Sequence, residues 1–126
     1  MGLLENKIEL SKKFHTEWTE TEIHWYGLEF SLDGIEEWIH LEYVPKFESN
    51  ATLDGFRDTL AFIDIDVFAR KENRTFELYD KILEMLSSTR IGNNGIRDIT
   101  ISGKDLISTD NGDYRVLKIT VLLKTL

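Results

Sequence analysis

The chain contains no cysteine and a single proline, and nowhere is it continuously apolar for long. Without cysteine, disulfide bonding, thiol catalysis and zinc–thiolate coordination are excluded. No stretch reaches the roughly eighteen apolar residues that a membrane-spanning helix needs. The N-terminus carries Leu3 and Leu4 but is charged at once by Glu5, Lys7 and Glu9, which does not make a signal peptide. Positive charge is also in deficit, with 15 Lys and Arg against 23 Asp and Glu and a net charge of −8. Such a chain repels phosphate, which disfavours tight, sequence-independent binding to DNA. The acid is spread along the chain rather than gathered in a tail, as expected of a solvated surface.

What is present is enough for one domain, residues 1–126. A chain of this length buries roughly 65% of its unfolded surface, so it needs no metal or disulfide to fold. With 41% hydrophobic and 30% charged residues it reads as globular rather than disordered. All three tryptophans, Trp18, Trp25 and Trp38, fall in one aromatic, threonine-rich stretch. Aromatic side chains are the largest units of apolar area and dominate both cores and interfaces, so this stretch builds a core corner or a docking face.

Hydrophobic periodicity orders the elements. Residues 2–17 read as a helix, with Leu4, Ile8, Ser11 and His15 on one stripe and Leu3, Leu10 and Phe14 widening it. Residues 19–25 alternate as a short extended piece, and residues 37–44 alternate again until Pro45 ends the strand. Lys46–Arg57 is a polar loop. Residues 59–70 give the clearest strand, with Ala61, Ile63, Ile65, Val67 and Ala69 on one face. Residues 73–88 form the clearest helix, with Asn73 as N-cap and an apolar stripe through Phe76, Tyr79, Ile82, Leu83 and Leu86. Strands at 96–107 and 113–124, joined by Asp110-Asn111-Gly112, form an antiparallel hairpin. The expected architecture is α+β, a mainly antiparallel sheet with two helices packed on one face.

Catalytic patterns are thin. Asp64-Ile65-Asp66 puts two carboxylates on one strand face, a pattern that a cation site or an acid/base pair shares with an ordinary solvated face. Asp110-Asn111-Gly112-Asp113 lacks the later glutamate of a calcium loop and reads as a hairpin turn. His24 and His40 lie on adjacent strands without a third ligand, short of a zinc site. There is no phosphate loop, dinucleotide glycine pattern or nucleophile elbow. No cofactor is expected. Strand alternation also sets Trp38 and Tyr43 on opposite faces, so at least one tryptophan is expected at the surface of an isolated subunit.

The order of a first helix, Trp18-x-x-Thr21-x-Ile23-x-Trp25, Phe30 and Trp38-Ile39-His40-Leu41 resembles the N-terminal half of tail terminator (tail completion) proteins of long-tailed bacteriophages. The later pattern is similar too: a glycine-containing loop at Asp54-Gly55, a strand at Leu60–Ala69, a helix at Asn73–Ser88 and a closing strand pair. The resemblance covers most of the chain. It departs at Gly27 and Glu29, where the family often has a polar residue before the phenylalanine, and in a loop with less glycine than usual.

The resemblance implies a non-enzymatic virion subunit, assembled in the host cytoplasm, that closes into a homohexameric ring at the head-proximal end of the tail. The ring caps the tail tube, ends its polymerisation and offers a surface to the head-completion or connector protein, with genomic DNA passing through without specific binding. Trp18, Trp25, Phe30, Trp38 and Tyr43 become candidates for the subunit interface, and Asp64 and Asp66 for the channel wall. Six copies at −8 give −48 per ring, a field along which DNA slides without sticking. Two other readings stay open: a different head–tail connector or tail tube component, and a small acidic ligand-binding domain or enzyme using Asp64, Asp66 and His40.

Overall fold

The computed structural model describes residues 3–29, 31, 33–45, 59–87, 90–91 and 94–125. The loop expected at Lys46–Arg57 and the candidate Phe30 lie outside them. The order is α1 (Leu3–Glu17), β1 (Glu22–Trp25), β2 (Trp38–Pro45), β3 (Thr59–Ala69), α2 (Glu72–Leu86), β4 (Arg90–Ile91), β5 (Asn94–Thr109) and β6 (Gly112–Thr125). The strands form one sheet in the order β1-β2-β3-β6-β5-β4. Every pairing is antiparallel except β1 with β2. The protein is therefore α+β, with a mainly antiparallel sheet.

Alternation divides the sheet into two faces. Ile39 and Leu41 of β2, Ala61 to Val67 at every second position of β3, and Leu117 to Leu123 at every second position of β6 are buried and in register. Leu10, Phe14 and Trp18 from the first helix and its C-terminal turn, and Leu78, Ile82 and Leu86 from α2, complete this cluster. Both helices thus cover the same face. Fully burying a leucine- or isoleucine-sized side chain contributes about 1.5–3 kcal/mol, which makes this layer the main source of stability.

Both helices are rotated from the stripes expected of them. Ser11 is half-buried, Ile8 and His15 are exposed, and the buried line of α1 is Leu10–Phe14–Trp18, spaced by four. A stripe ending in phenylalanine and tryptophan removes more apolar area from water than one containing Ser11 and His15. Trp18 is not in a strand. Its N–H donates to the Phe14 carbonyl at 2.9 Å, carrying the helical bond pattern one residue past α1. In α2 the buried line is Thr75, Leu78, Ile82 and Leu86, and Phe76 faces outward. The N-cap position belongs to Lys71, in extended conformation and without a side-chain cap bond, and Asn73 lies inside the first turn.

The closing hairpin turns tightly at Asp110-Asn111, with Gly112 at φ +103°. Arg70 approaches there so closely that an added Cβ would lie 2.8 Å from its guanidinium. The positive φ is what favours glycine there, since the end of the Arg70 side chain can shift to make room.

Candidate functional site

The face without helices is built in cross-strand rows. The first runs from Glu22 through Trp38 and Phe68 to Val116, the second from His24 through His40 and Asp66 to Lys118, and the third from Glu42 through Asp64 to Thr120. Directly opposed side chains of adjacent antiparallel strands have Cβ atoms about 4.5–5.5 Å apart, which brings neighbours in a row within reach across β2, β3 and β6.

One end of this face is closed. Trp38 stacks on Phe68 with centroids 4.4 Å apart and meets Tyr114 edge-on at 4.7 Å. Ile35, Glu36 and Glu37, which lead into β2 at the end of the crossover from β1, lie over this end. The Tyr114 hydroxyl donates to the Ile35 carbonyl at 2.7 Å, and Arg70 lies 3.9 Å above the Tyr114 ring. Arg74 of α2 grips Glu37 with two hydrogen bonds of 2.8 Å, and Arg70 binds Glu36 at 3.0 Å. These pairs fasten the crossover to the start of α2. The charge and hydrogen bonds of Glu37 and Glu77 hold the Arg74 pKa above its ordinary value.

The middle of the face is polar. A depression of about 400 Å³ is lined by Glu42, Asp64, Asp66, Ser102, Lys118 and Thr120. Burial pushes the Asp66 carboxyl above its usual range; Lys118 and His40 pull it back, and Asp64 adds a smaller push upward. Thr120 donates to Asp64 at 3.3 Å. Glu42 stands directly opposite Asp64, a like-charge pair that costs the sheet stability. Among the described residues no three metal-ligating side chains converge. The strip offers three carboxylates and one ammonium, a local negative field rather than a set of groups aimed at one atom.

The sequence candidates separate in space. Trp18 and Trp38 are 5% and 3% exposed, so little of either is left to meet a neighbour. The indole of Trp18 donates to Thr21 Oγ1 at 2.9 Å. Trp25 is half-buried on the helix side, where its indole donates to His15 Nε2 at 3.0 Å. Tyr43 packs against the core, half-buried, and desolvation pushes its phenol pKa upward. Asp64 and Asp66 share the open face. His24 and His40 lie on adjacent, paired strands and are register partners, but His24 lies beside Trp38 and Glu22, while His40 meets the Tyr26 ring edge-on. Lys118 was not singled out by sequence, although its place in the alternation of β6 puts it on the open face.

No family model matches this chain, and no curated protein matches it. A solved chain covers 95% of this chain and 96% of its own length with a TM-score of 0.54 and 11% sequence identity. At that identity the likeness concerns the fold alone.

Proposed function

We propose that this protein is a structural subunit of a bacteriophage tail, a tail terminator that closes into a hexameric ring on the last ring of the tail tube. The observation that carries this reading is the acidic strip of Glu42, Asp64 and Asp66 on the helix-free face, with Glu42 and Asp64 opposed at a cost to the sheet. A channel wall has a use for that cost, because negative charge repels the phosphate backbone of passing DNA. The mechanism is geometric: a ring seated on the tube end replaces the surface on which the next tube ring would nucleate. Heterologous contacts whose rotation closes generate such a ring. In the α+β order, two helices lie on one face and leave the other available to line a channel.

Two measurements test it. Purified protein viewed by electron microscopy should show rings with a central hole and a mass of 6 × 14.7 kDa, about 88 kDa. A monomer at all concentrations would sink the ring. Particles carrying Asp64→Asn with Asp66→Asn should eject DNA more slowly, and unchanged ejection would remove both carboxylates from the channel wall. The second reading, a connector or tube component, shares this geometry. Adding the protein to growing tail tubes separates the two, since a terminator halts growth and a tube component is incorporated.

A further inference from the structure

All 3 histidines of the chain sit at β1, the four-residue strand at one edge of the sheet. His24 lies within it, His40 is its register partner on β2, and His15 reaches it from the last turn of α1. Histidine is the side chain whose ordinary charge change falls between about pH 5 and 8, so mild acid acts first on this edge.

β1 is also poorly placed to resist. It pairs in parallel, through residues 22–25 with 38–41, and among the described residues no strand flanks its outer side. Parallel pairing is slightly less stable per residue than antiparallel pairing. The chain is tied to the helix layer on both sides of the strand. Before it, the Trp18 indole donates to Thr21 Oγ1 at 2.9 Å, and Lys81 of α2 pairs with Glu20 at 3.5 Å. Neither tie involves a histidine. At its end, the Trp25 indole donates to His15 Nε2 at 3.0 Å, with ring centroids 6.1 Å apart.

The histidines meet acid in different ways. His24 binds Glu22 at 3.0 Å, and His40 is opposite Asp66, with Lys118 next in that row. A carboxylate beside each ring offsets the charge that acid puts there, so these contacts outlast protonation. His15 differs. An indole N–H only donates, and Nε2 accepts only while it carries no proton. Protonated, His15 sets N–H against N–H and the bond is lost. The other groups around it do not replace it. Lys7 and Ser11 of α1, Tyr26 after β1, and Glu42 and Tyr43 of β2 line the same groove of about 510 Å³. Glu42 and the negative end of the α1 dipole attract a charged ring and Lys7 repels it, but none of these contacts runs through Trp25.

We infer that His15 and Trp25 form a proton-operated latch. Neutral His15 fastens the end of β1 to α1; charged His15 releases it and loosens the edge strand beside the groove that both residues line. Donor chemistry fixes the sign: the bond is present at neutral pH and lost as pH falls through the histidine range. The latch works within one subunit and does not rest on the assembly proposed above.

Nuclear magnetic resonance of the full-length protein reads it directly, because each of the 3 indole N–H groups gives its own signal. Trp25→Phe identifies the Trp25 signal by its loss. As pH falls from about 7.5 to about 5.5, that signal should move toward the position of a solvated indole, with the midpoint of the His15 ring signals, while the Trp18 indole stays in place. Amide exchange of residues 22–25, corrected for intrinsic rates and referred to β3, should quicken about 2- to 10-fold, the range set by one ordinary hydrogen bond. His15→Gln, at an exposed position, brings a side chain that acid does not charge, so both responses should vanish. His24→Gln and His40→Gln should leave the Trp25 titration intact. A Trp25 signal that ignores pH in the wild-type protein overturns the latch, whatever the variants do. So does a titration that persists in His15→Gln or disappears in His40→Gln. A titration without faster exchange in β1 overturns the loosening of the strand.

Discussion

The two faces of the sheet are written by alternate residues of the same strands, and they differ in kind. The helix-covered face is aliphatic and closed from Ala61 through Val67 and from Leu117 through Leu123. The other face is graded, from the closed aromatic end at Trp38, Phe68 and Tyr114 to the polar centre at Asp64, Asp66 and Lys118. Stability requires only the first face to be apolar throughout. The second face can carry groups that stability does not need, and it is there that the opposed carboxylates lie.

Substitutions can break this contrast in order of expected effect. Trp38→Ala, at the closed end of the graded face, should cost about 3–5 kcal/mol, as much as a core aromatic elsewhere. Denaturant unfolding measures it. A cost below about 1 kcal/mol would mean that the aromatic end is surface after all. Ile65→Ala on the covered face should cost about 2–5 kcal/mol. The same truncation one residue on, Asp66→Ala, should be near neutral or stabilising at neutral pH. The pair of measurements states the asymmetry of the faces in a single strand.

Arg74→Ala should cost about 1–2 kcal/mol, because the two-pronged pair with Glu37 is half-buried and geometrically fixed. Faster amide exchange confined to residues 35–38 would show that the crossover has loosened. The smallest effect is a matter of sign. Burial raises the folded-state pKa of Asp66, so its protonated form is favoured in the fold. Its contribution is therefore fully present below the unfolded carboxyl pKa and is lost as pH rises through the raised value. Asp66→Asn should raise the thermal midpoint at pH 7 and lose that advantage in acid. An equal gain at both pH values would remove the titration from the explanation.

Much of this fold is legible in the sequence, and the omissions have physical causes. Nine residues of alternation in β3, 61–69, declare a strand and its buried face without ambiguity. The four residues of β1 are too few to state a partner or a direction, and the parallel pairing with β2 depends on the crossover at residues 26–37. The sequence reading ends the first helix at residue 17 and leaves Trp18 between elements, because period-two alternation and a helical spacing both fit that stretch. Leu10, Phe14 and Trp18 at steps of four were the signal that could have decided it. Of the candidate site, Asp64 and Asp66 were visible as neighbours along one strand. Their opposition to Glu42 and their row with His40 and Lys118 belong to strand register, which alternation alone does not fix. The exposure of Ile101 and Leu106 on β5 was not legible for another reason: these residues read as ordinary strand, and nothing in their alternation says how far the helix layer extends over them.

The place of β6 in the sheet has a consequence for synthesis. β6 comes last among the described strands in the chain yet lies between β3 and β5, so β3 has no partner on that side until Gly112–Thr125 arrives. During translation the nascent chain must hold β1, β2, β3 and both helices as an unfinished half-sheet, with the long apolar edge of β3 open to any strand nearby. At about 5–20 residues per second, the interval between the emergence of β3 and that of β6 lasts several seconds. The crossover waits as well, since its anchor on Tyr114 is carried by the same late strand. In the cell, the period of greatest vulnerability to aggregation is set by the ribosome rather than by the folded protein's stability.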